Sequence, residues 1–306
     1  MGGVVTLFPS PDISHLGEWA ALGAAGLWAV VSVLYRYLGR TIPPVGLNLA
    51  KNLAAVLLLS LTLGVRPAEA WPAAWAVAGL SLSGILGIAL GDTAYFSALQ
   101  SLGPRRLLLL ETLSPPLGAL LASALLGEVL DPVAWAAIGL TGIGITWATR
   151  ERVGVDKTWG QWTAAGLAWG LFGAVVNALA ALLSRWVLTA TPIPPLLAAW
   201  VRLGAASLVL VFWGWLQGKL AAWIVPFQRD KRLILGVVVT AGLGSYLGIW
   251  LQQVAFKYAP VGIAQTLLAT SPLLVLPLVI GLGERLSWAA LMGVIVSLIG
   301  IALLFA

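Results

Sequence analysis

The sequence predicts an all-α integral membrane protein whose ten transmembrane helices form two inverted five-helix repeats. Three observations support this fold class. Of the 306 residues, 60% are hydrophobic and only 9% are charged, and a water-soluble domain of that composition could not cover its apolar surface. Apolar runs of about 20 residues, the length that crosses a bilayer, recur along the chain. The two halves of the chain also resemble each other.

Ten apolar runs, bounded by Gly, Pro or charged residues, predict the spans. In the first half they are Leu16 to Leu38, Val45 to Leu63, Ala73 to Leu99, Leu107 to Leu126 and Val133 to Ala148. In the second half they are Trp162 to Val187, Leu196 to Leu216, Leu233 to Phe256, Val261 to Leu282 and Trp288 to Phe305. The predicted organisation is a polar lead-in over residues 1–15, a first repeat over 16–149, a linker over 150–159 and a second repeat over 160–306.

The two halves share short motifs at nearly constant spacing. Gly87 and Gly91 in the third run match Gly244 and Gly248 in the eighth, and 244 − 87 is 157. Further matches, at offsets of 151 to 157 residues, are Ser114-Pro115 with Ser271-Pro272, Gly127-Glu128 with Gly283-Glu284, Gly144 with Gly300, and Lys51 with Arg202. Because each half holds an odd number of spans, the second half enters the membrane in the opposite direction.

An inverted repeat favours a transport function. Two related halves that face opposite leaflets can exchange conformations, which opens a central site to each side in turn. The alternative interpretation is that duplication is only a stable way to pack helices. The sequence therefore predicts a secondary transporter that moves a small organic solute, such as an amino acid, metabolite or drug, by export or exchange through alternating access. A membrane-embedded enzyme or a channel is the alternative function.

Composition excludes several kinds of chemistry. The chain has no cysteine and one histidine, His15, so disulfides, thiolate nucleophiles and imidazole metal sites are not expected. No cluster of acids, histidines or activated nucleophiles indicates catalysis. The basic residues lie between apolar runs, where they set orientation rather than bind nucleic acid. We expect no cofactor, and the expected partners are the lipid bilayer, a small-molecule solute and protons, for a monomer or homodimer in the cell inner (plasma) membrane.

The tracts that close the two halves resemble the EamA-type carriers of the drug/metabolite transporter superfamily. They run from Leu113-Ser114-Pro115 through Gly127-Glu128-Val129-Leu130 to Gly139, and from Thr270-Ser271-Pro272 through Gly283-Glu284-Arg285-Leu286 to Gly293. The resemblance extends from about Glu18 onward and implies ten helices, two pseudo-symmetric halves and export or exchange of metabolites, amino acids or drugs. Physically, each Gly-Glu pair is a loop glycine followed by an acidic helix-start residue, so we interpret Glu128 and Glu284 as structural.

Four ionisable residues inside the predicted spans are the first candidates for a functional site. A charge near the bilayer centre costs at least about 2.5–3.5 kcal/mol. Lys51 and Arg202 occupy equivalent places in spans two and seven, whereas Asp92 and Glu111 fall in spans three and four. One interpretation is that these charges only pair with one another. The other is that Lys51 or Arg202 binds a carboxylate or phosphate of the solute, while Asp92 or Glu111 takes up a proton.

Aromatic and amide side chains extend this candidate site. Span eight carries Tyr246, Trp250, Gln253 and Lys257 at spacings that place them on one helical face. Tyr95 shares a face with Asp92, and Trp28 and Asn177 lie within spans one and six. Such walls suit amphipathic solutes, although packing alone explains each aromatic equally well. Pro115 and Pro272 are predicted to kink spans four and nine, either for gating or only to fit the shape of the bundle. The GxxxG pairs are predicted to bring helices close together.

The orientation of the termini is predicted in two conflicting ways. Counted by alternate loops, one side carries twelve basic residues and the other three, which are Arg66, Arg185 and Lys257. The twelve are Arg36, Arg40, Arg105, Arg106, Arg150, Arg152, Lys157, Lys219, Arg229, Lys231, Arg232 and Arg285. The positive-inside rule places those twelve in the cytoplasm and both termini outside. The family resemblance implies the reverse, with both termini in the cytoplasm.

Overall fold

The computed structural model describes residues 15–38, 41–65, 71–102, 107, 110–150, 163–277 and 287–305. Every regular element within these ranges is helical. Five helical stretches are long and apolar enough to cross a membrane: Val45–Val65, Ala74–Tyr95, Ala164–Ala190, Pro195–Leu216 and Arg232–Tyr258. Five shorter apolar stretches accompany them: Leu16–Ser32, Ser114–Leu126, Pro132–Ala148, Val261–Leu274 and Trp288–Leu303. The all-helical, membrane-spanning class is thereby confirmed, while the count of ten spans stays a prediction.

Fourteen α-helices and two π-helical segments make up this architecture among the described residues. The helices of the first half are α1 Leu16–Leu38, α2 Pro44–Val65, α3 Ala74–Gly84, α4 Asp92–Leu102, α5 Ser114–Leu126 and α6 Pro132–Arg150. Those of the second half are α7 Ala164–Ala190, α8 Pro195–Leu216, α9 Leu220–Arg229, α10 Arg232–Thr240, α11 Gly248–Tyr258, α12 Val261–Leu268, α13 Ser271–Leu274 and α14 Trp288–Leu303. The first π segment, Ile85–Gly91, joins α3 to α4, and the second, Ala241–Leu247, joins α10 to α11.

The predicted spans three and eight are therefore not regular α-helices. A π turn hydrogen-bonds from residue i to i+5 and is wider than an α turn, so backbone carbonyls become accessible to other partners. The carbonyl of Ile88 accepts a hydrogen bond from Asn48 Nδ2 at 3.2 Å, and that of Gly244 accepts one from Trp28 Nε1 at 2.9 Å. Each carbonyl belongs to the fourth residue of its π segment. The two carbonyls therefore hold the same place within their π segments, although the glycine motifs align Gly244 with Gly87, one residue before Ile88.

The two prolines begin new helices where kinks were predicted. Pro115 is the second residue of α5 and Pro272 the second residue of α13. A proline is tolerated at the start of a helix because the missing N–H has no partner there in any case. Turns at residues 112–113 and 269–270 precede the two helices. The predicted spans four and nine are consequently interrupted, not smoothly bent.

The first helix of each half packs on the π segment of the other half. Trp28 of α1 lies beside the glycines of the second π region, where a methyl group built on Gly248 would come within 2.6 Å of its Nε1 atom. Asn177 of α7 lies in the same way beside the first π segment, with Oδ1 3.1 Å from a methyl group built on Gly91. The predicted role of the GxxxG glycines in close helix approach fits this packing.

Helices α6 and α14 contact each other through equivalent residues. A methyl group built on Gly144 would lie 2.7 Å from the carbonyl oxygen of Gly293, and one built on Gly300 would lie 2.7 Å from the amide nitrogen of Thr141. Ser297 Oγ donates to the carbonyl of Thr141 at 3.3 Å. Both 300 − 144 and 297 − 141 equal 156. Residues of one half therefore meet their own counterparts, as they do in a two-fold symmetric interface.

Gly144→Ala is expected to destabilise the protein, because its methyl group would overlap the backbone of α14. Overpacking of this kind costs about 1–3 kcal/mol. Gly139→Ala is the matched control on the same helix, since nothing lies within 4 Å of its added methyl group, and alanine favours a helix over glycine by up to about 1 kcal/mol. Unfolding of both purified variants in detergent measures the difference. Equal stability of the two variants would contradict the close α6–α14 contact.

Candidate functional site

Lys51 and Asp92 form an ion pair between α2 and the start of α4. Lys51 Nζ lies 3.3 Å from Asp92 Oδ2. The lysine side chain is 12% exposed and the aspartate side chain 36% exposed, so the carboxylate faces open space while the ammonium is enclosed. Lys51 Nζ also donates to Asn52 Oδ1 at 3.1 Å. Two of the predicted site residues are thus brought into direct contact.

Two asparagines connect this ion pair to the first π segment. Asn52 Nδ2 donates to Asn48 Oδ1 at 3.2 Å, and Asn48 in turn binds the carbonyl of Ile88. Both asparagines are almost completely buried. They stand four residues apart on α2, on the turns that flank Lys51. Because buried amides are costly unless they are hydrogen-bonded, this chain fixes Lys51 against the π segment.

Arg202 occupies the equivalent place in the second half but has a different environment. It is the eighth residue of α8, as Lys51 is the eighth residue of α2, and it is 2% exposed. Its Nη1 donates to the neutral Gln252 Oε1 at 3.1 Å, while its Nε has no hydrogen-bond partner. Within the described ranges it forms no ion pair. Arg202 therefore presents a buried cation with unused hydrogen-bonding capacity.

Asn177 and the first π segment meet Arg202. A methyl group built on Gly87 would lie 3.2 Å from Arg202 Nη2 and 3.8 Å from Asn177 Oδ1. The absence of a side chain at Gly87 thus leaves room for both groups. Gln265 of α12 donates to the backbone carbonyl of Asn177 at 3.3 Å. Side chains from both halves of the chain converge on this glycine.

Glu111 is the remaining predicted ionisable residue, and it lies near the same face of α7. Its Oε1 atom is 4.0 Å from a methyl group built on Gly173, one helical turn from Asn177. This oxygen is buried and has no hydrogen-bond partner among the residues that the structure describes. Glu111 interacts electrostatically with Asp92 and Tyr95, and Asp92 also interacts with Arg202. We call the set Lys51, Asp92, Glu111, Asn177 and Arg202 the polar belt.

The predicted polar and aromatic face of span eight is dispersed in the structure. Tyr246 lies in the second π segment, where its hydroxyl is 3.0 Å from Thr62 Oγ1 and its ring centroid 6.3 Å from that of Trp250. Gln253 is fully buried and neither of its amide atoms has a partner. Lys257 Nζ donates to the carbonyl of Ile193 at 2.8 Å. Tyr246 and Trp250 therefore remain neighbours, whereas Lys257 bonds a different part of the protein.

Glu128 connects the two halves of the chain. Its Oε1 accepts from Arg185 Nε at 2.6 Å, and its Oε2 accepts from the backbone N–H of Val261, the first residue of α12, at 2.9 Å. Arg185 Nη1 donates to the carbonyls of Phe256 and Lys257 at 3.1 and 2.8 Å. The Glu128–Arg185 pair therefore holds the turn between α11 and α12.

The helix-start interpretation of Glu128 needs a correction. The glycine of the motif does end α5, since Gly127 has a φ of +68°, a conformation that favours glycine. The start of the next helix, α6, is instead capped by Asp131, whose Oδ1 accepts from the N–H of Ala134 at 2.6 Å. Glu128 caps a helix of the other half. Its predicted counterpart Glu284 lies outside the described residues.

Sequence reasoning missed several polar contacts of the site. Gln252 was not proposed although it binds Arg202, and Gln265 was not proposed although it bridges Ser114 Oγ and Asn177 at 3.4 and 3.3 Å. Asn48 and Asn52 also escaped notice. One signal was available for the asparagines, because two amides four residues apart in an apolar span share one face.

The long apolar helices and the buried polar belt between them define a multi-pass integral membrane protein. The chain belongs to the EamA-like transporter family, whose sequence profile matches residues 15–150 and, a second time, residues 164–306. It is therefore a membrane transporter of the drug/metabolite transporter superfamily. This confirms the resemblance predicted from the Ser-Pro, Gly-Glu and glycine pattern.

Solved structures support the fold. One crystal structure, at 19% sequence identity, superposes with a TM-score of 0.75 over 94% of this chain and 95% of the other. At that identity the similarity shows the fold alone. Among curated proteins, none matches the sequence significantly.

Proposed function

We propose that this transporter carries a small organic solute with an anionic group by alternating access, using two inverted five-helix repeats. The observation that carries the proposal is the position of the polar belt where the two halves meet. Arg202, Asn177 and the first π segment come from different halves yet face one another at Gly87. A rearrangement of the halves would change which membrane face this site opens to.

The contacts between the halves support the inverted arrangement. Equivalent residues of α6 and α14 touch each other, and each half presents its first helix to the π segment of the other. Such reciprocal contacts are expected for halves related by a local two-fold axis. For two units with five spans each, an axis in the membrane plane reverses the direction of every span. Two halves of five spans each, ten in total, are part of this proposal.

Arg202 is the residue that we assign to the anionic group of the solute. A buried guanidinium without a carboxylate partner is costly, and a carboxylate or phosphate from the solute would satisfy its free Nε donor. Lys51 is already paired with Asp92, so it enters the site only when that pair opens. Trp28, Tyr95, Tyr246, Trp250 and Gln253 remain the candidates for contacts with the rest of the solute.

Proton coupling is assigned to Asp92 and Glu111. The carboxylate of Asp92 faces open space, and Glu111 keeps one oxygen without a partner. Loss or gain of a proton at either group changes the charge balance of the belt around Arg202. Protonation of Asp92 would release Lys51 for the solute. Pro115 and Pro272 stay the proposed gating positions, because each lies at an interruption between helical pieces.

Reconstitution into liposomes tests the proposed function. Counterflow of labelled carboxylate- and phosphate-bearing metabolites, amino acids and cationic drugs identifies the solute class. Saturable, trans-stimulated exchange of an anionic or zwitterionic solute is expected. Ion conductance far above carrier turnover would instead indicate a channel, and chemical conversion of a substrate in detergent would indicate an enzyme.

Asp92→Asn is expected to abolish uptake driven by a pH gradient while leaving solute exchange largely intact, because the amide cannot cycle a proton. The double variant Lys51→Met with Asp92→Asn removes the ion pair as a unit. It separates loss of the proton site from the effect of an unpaired lysine. Liposomes with an imposed pH gradient measure the first activity, and counterflow without a gradient measures the second. Undiminished gradient-driven uptake in Asp92→Asn would remove Asp92 from the coupling mechanism.

A further inference from the structure

Helix α9 lies between two membrane-crossing helices but is too short to cross. Its ten residues, Leu220–Arg229, extend about 15 Å, half the thickness of the hydrocarbon core. The chain reverses just before it at Gly218, which has a φ of +64°. The N–H of Lys219 returns to the carbonyl of Gly214 at 3.0 Å. This turn ends α8 and lets α9 lie across the ends of the neighbouring spans. The sequence pattern predicts a loop over this segment.

One face of α9 is fixed to the protein. Trp223 is 7% exposed and packs on Gly214 of α8 and on Gly46 of α2. A methyl group built on Gly46 would be 3.0 Å from Cβ and Cγ of Trp223. Phe227, one turn later, packs against the apolar cluster of Leu38, Ile42, Leu47, Leu233 and Val237. These contacts therefore fix the helix against the ends of α2, α8 and α10.

The exposed residues in the first half of α9 are apolar, whereas the exposed residues at its end, Gln228 and Arg229, are polar. Ile224 is 54% exposed, and Trp215 and Leu216, at the adjoining end of α8, are 65% and 58% exposed. Ala221 and Ala222 are exposed as well. Apolar side chains of this kind at the end of a span belong at the boundary between headgroups and hydrocarbon.

Basic residues surround these apolar side chains. Lys219 precedes the helix, and Arg229, Lys231 and Arg232 follow at its other end; all four are exposed. None of them forms an ion pair with any residue that the structure describes. The single acid among them, Asp230, uses Oδ1 to accept from the backbone N–H of Arg232 at 2.9 Å. The segment thus presents an excess of unpaired cations next to exposed apolar side chains.

We propose that α9 and its flanking basic residues form a binding surface for anionic phospholipid headgroups. The phosphate groups neutralise Lys219, Arg229, Lys231 and Arg232, while Ile224 and the end of α8 enter the boundary of the acyl chains. Interfacial helices with an apolar face and basic flanks bind membranes in this way.

Lipid-dependent stabilisation tests this proposal. The variant Lys219→Gln, Arg229→Gln, Lys231→Gln and Arg232→Gln is purified with wild type, and each is titrated with phosphatidylglycerol, phosphatidylcholine or inorganic phosphate while thermal unfolding is followed. We expect phosphatidylglycerol to stabilise wild type and its apparent affinity to fall at least about fivefold in the variant. The control Arg150→Gln, Arg152→Gln and Lys157→Gln removes basic residues elsewhere and should keep the wild-type response. Equal losses in both variants, or equal stabilisation by inorganic phosphate, would overturn the proposal.

A second measurement does not depend on stability. Because the chain has no cysteine, Ile224→Cys provides a single labelling site. A fluorophore there is expected to be quenched by brominated lipids more strongly than by aqueous iodide. The four-glutamine change should reduce quenching by brominated phosphatidylglycerol and leave quenching by brominated phosphatidylcholine unaltered. Quenching by iodide alone would show that α9 faces water or a soluble partner and would refute the lipid surface.

Discussion

Arg202→Gln is expected to lower the affinity of the transporter for its solute by about 30-fold or more, which corresponds to roughly 2 kcal/mol. Arg202 is 2% exposed, and among the described side chains it bonds only the neutral Gln252. We therefore propose that the anionic group of the solute compensates the charge of Arg202. Removing the guanidinium takes away the charge-assisted hydrogen bonds that a carboxylate or phosphate would make.

Isothermal titration calorimetry in detergent measures the affinity of each variant for the solute that counterflow identifies. Arg202→Lys is the matched control because it keeps the charge and loses only the planar, forked geometry, so its loss should be smaller. Gel filtration and thermal unfolding check that both variants fold, since α8 packs closely on Gly84 at this residue. Wild-type affinity in a folded Arg202→Gln protein would show that the anionic group binds elsewhere.

Glu128→Gln is expected to destabilise the protein by about 1.5–3 kcal/mol, the usual contribution of a hydrogen bond to a charged group. The side chains of Glu128 and Arg185 are only 14% and 15% exposed. Glutamine can still accept from the N–H of Val261, but Arg185 loses its counter-charge. Without this counter-charge, the contacts of Arg185 with the turn that joins α11 to α12 are weakened.

Chemical unfolding in detergent measures the cost, and a double-mutant cycle with Arg185→Gln gives the coupling between the two side chains. The double variant should be less destabilised than the sum of the single variants. Asp131→Asn is the control for a helix cap within one half, and it should cost only about 1 kcal/mol or less. A similar small cost for Glu128→Gln would mean that the contact between the halves contributes little to stability.

Much of the architecture could be predicted because lipid imposes simple rules. Apolar length defined the spans, and the duplicated motifs pointed to the family whose profile matches both halves. Lys51 and Asp92 stood out because charges are rare inside spans. Each of these signals is local or repeats at a fixed offset.

Other features depend on contacts that no local pattern contains. Glu128 caps a helix that begins 133 residues later, so its partner emerges only when the halves are assembled. Glycines four residues apart fit both α and π turns, and the π segments were therefore missed. Helix α9 mixes apolar, basic and proline residues, a composition that resembles a loop until Trp223 is seen to be buried.

The matching π segments also bear on the history of the chain. Both contain seven residues, and their first and last residues are each 156 positions apart. π-helical residues are well under 1% of those in proteins, and such turns concentrate at functional sites. Acquisition of the same rare turn twice by chance is a far less economical explanation than inheritance. By this reasoning the turn is older than the divergence of the two family repeats, which the family profile matches over residues 15–150 and 164–306.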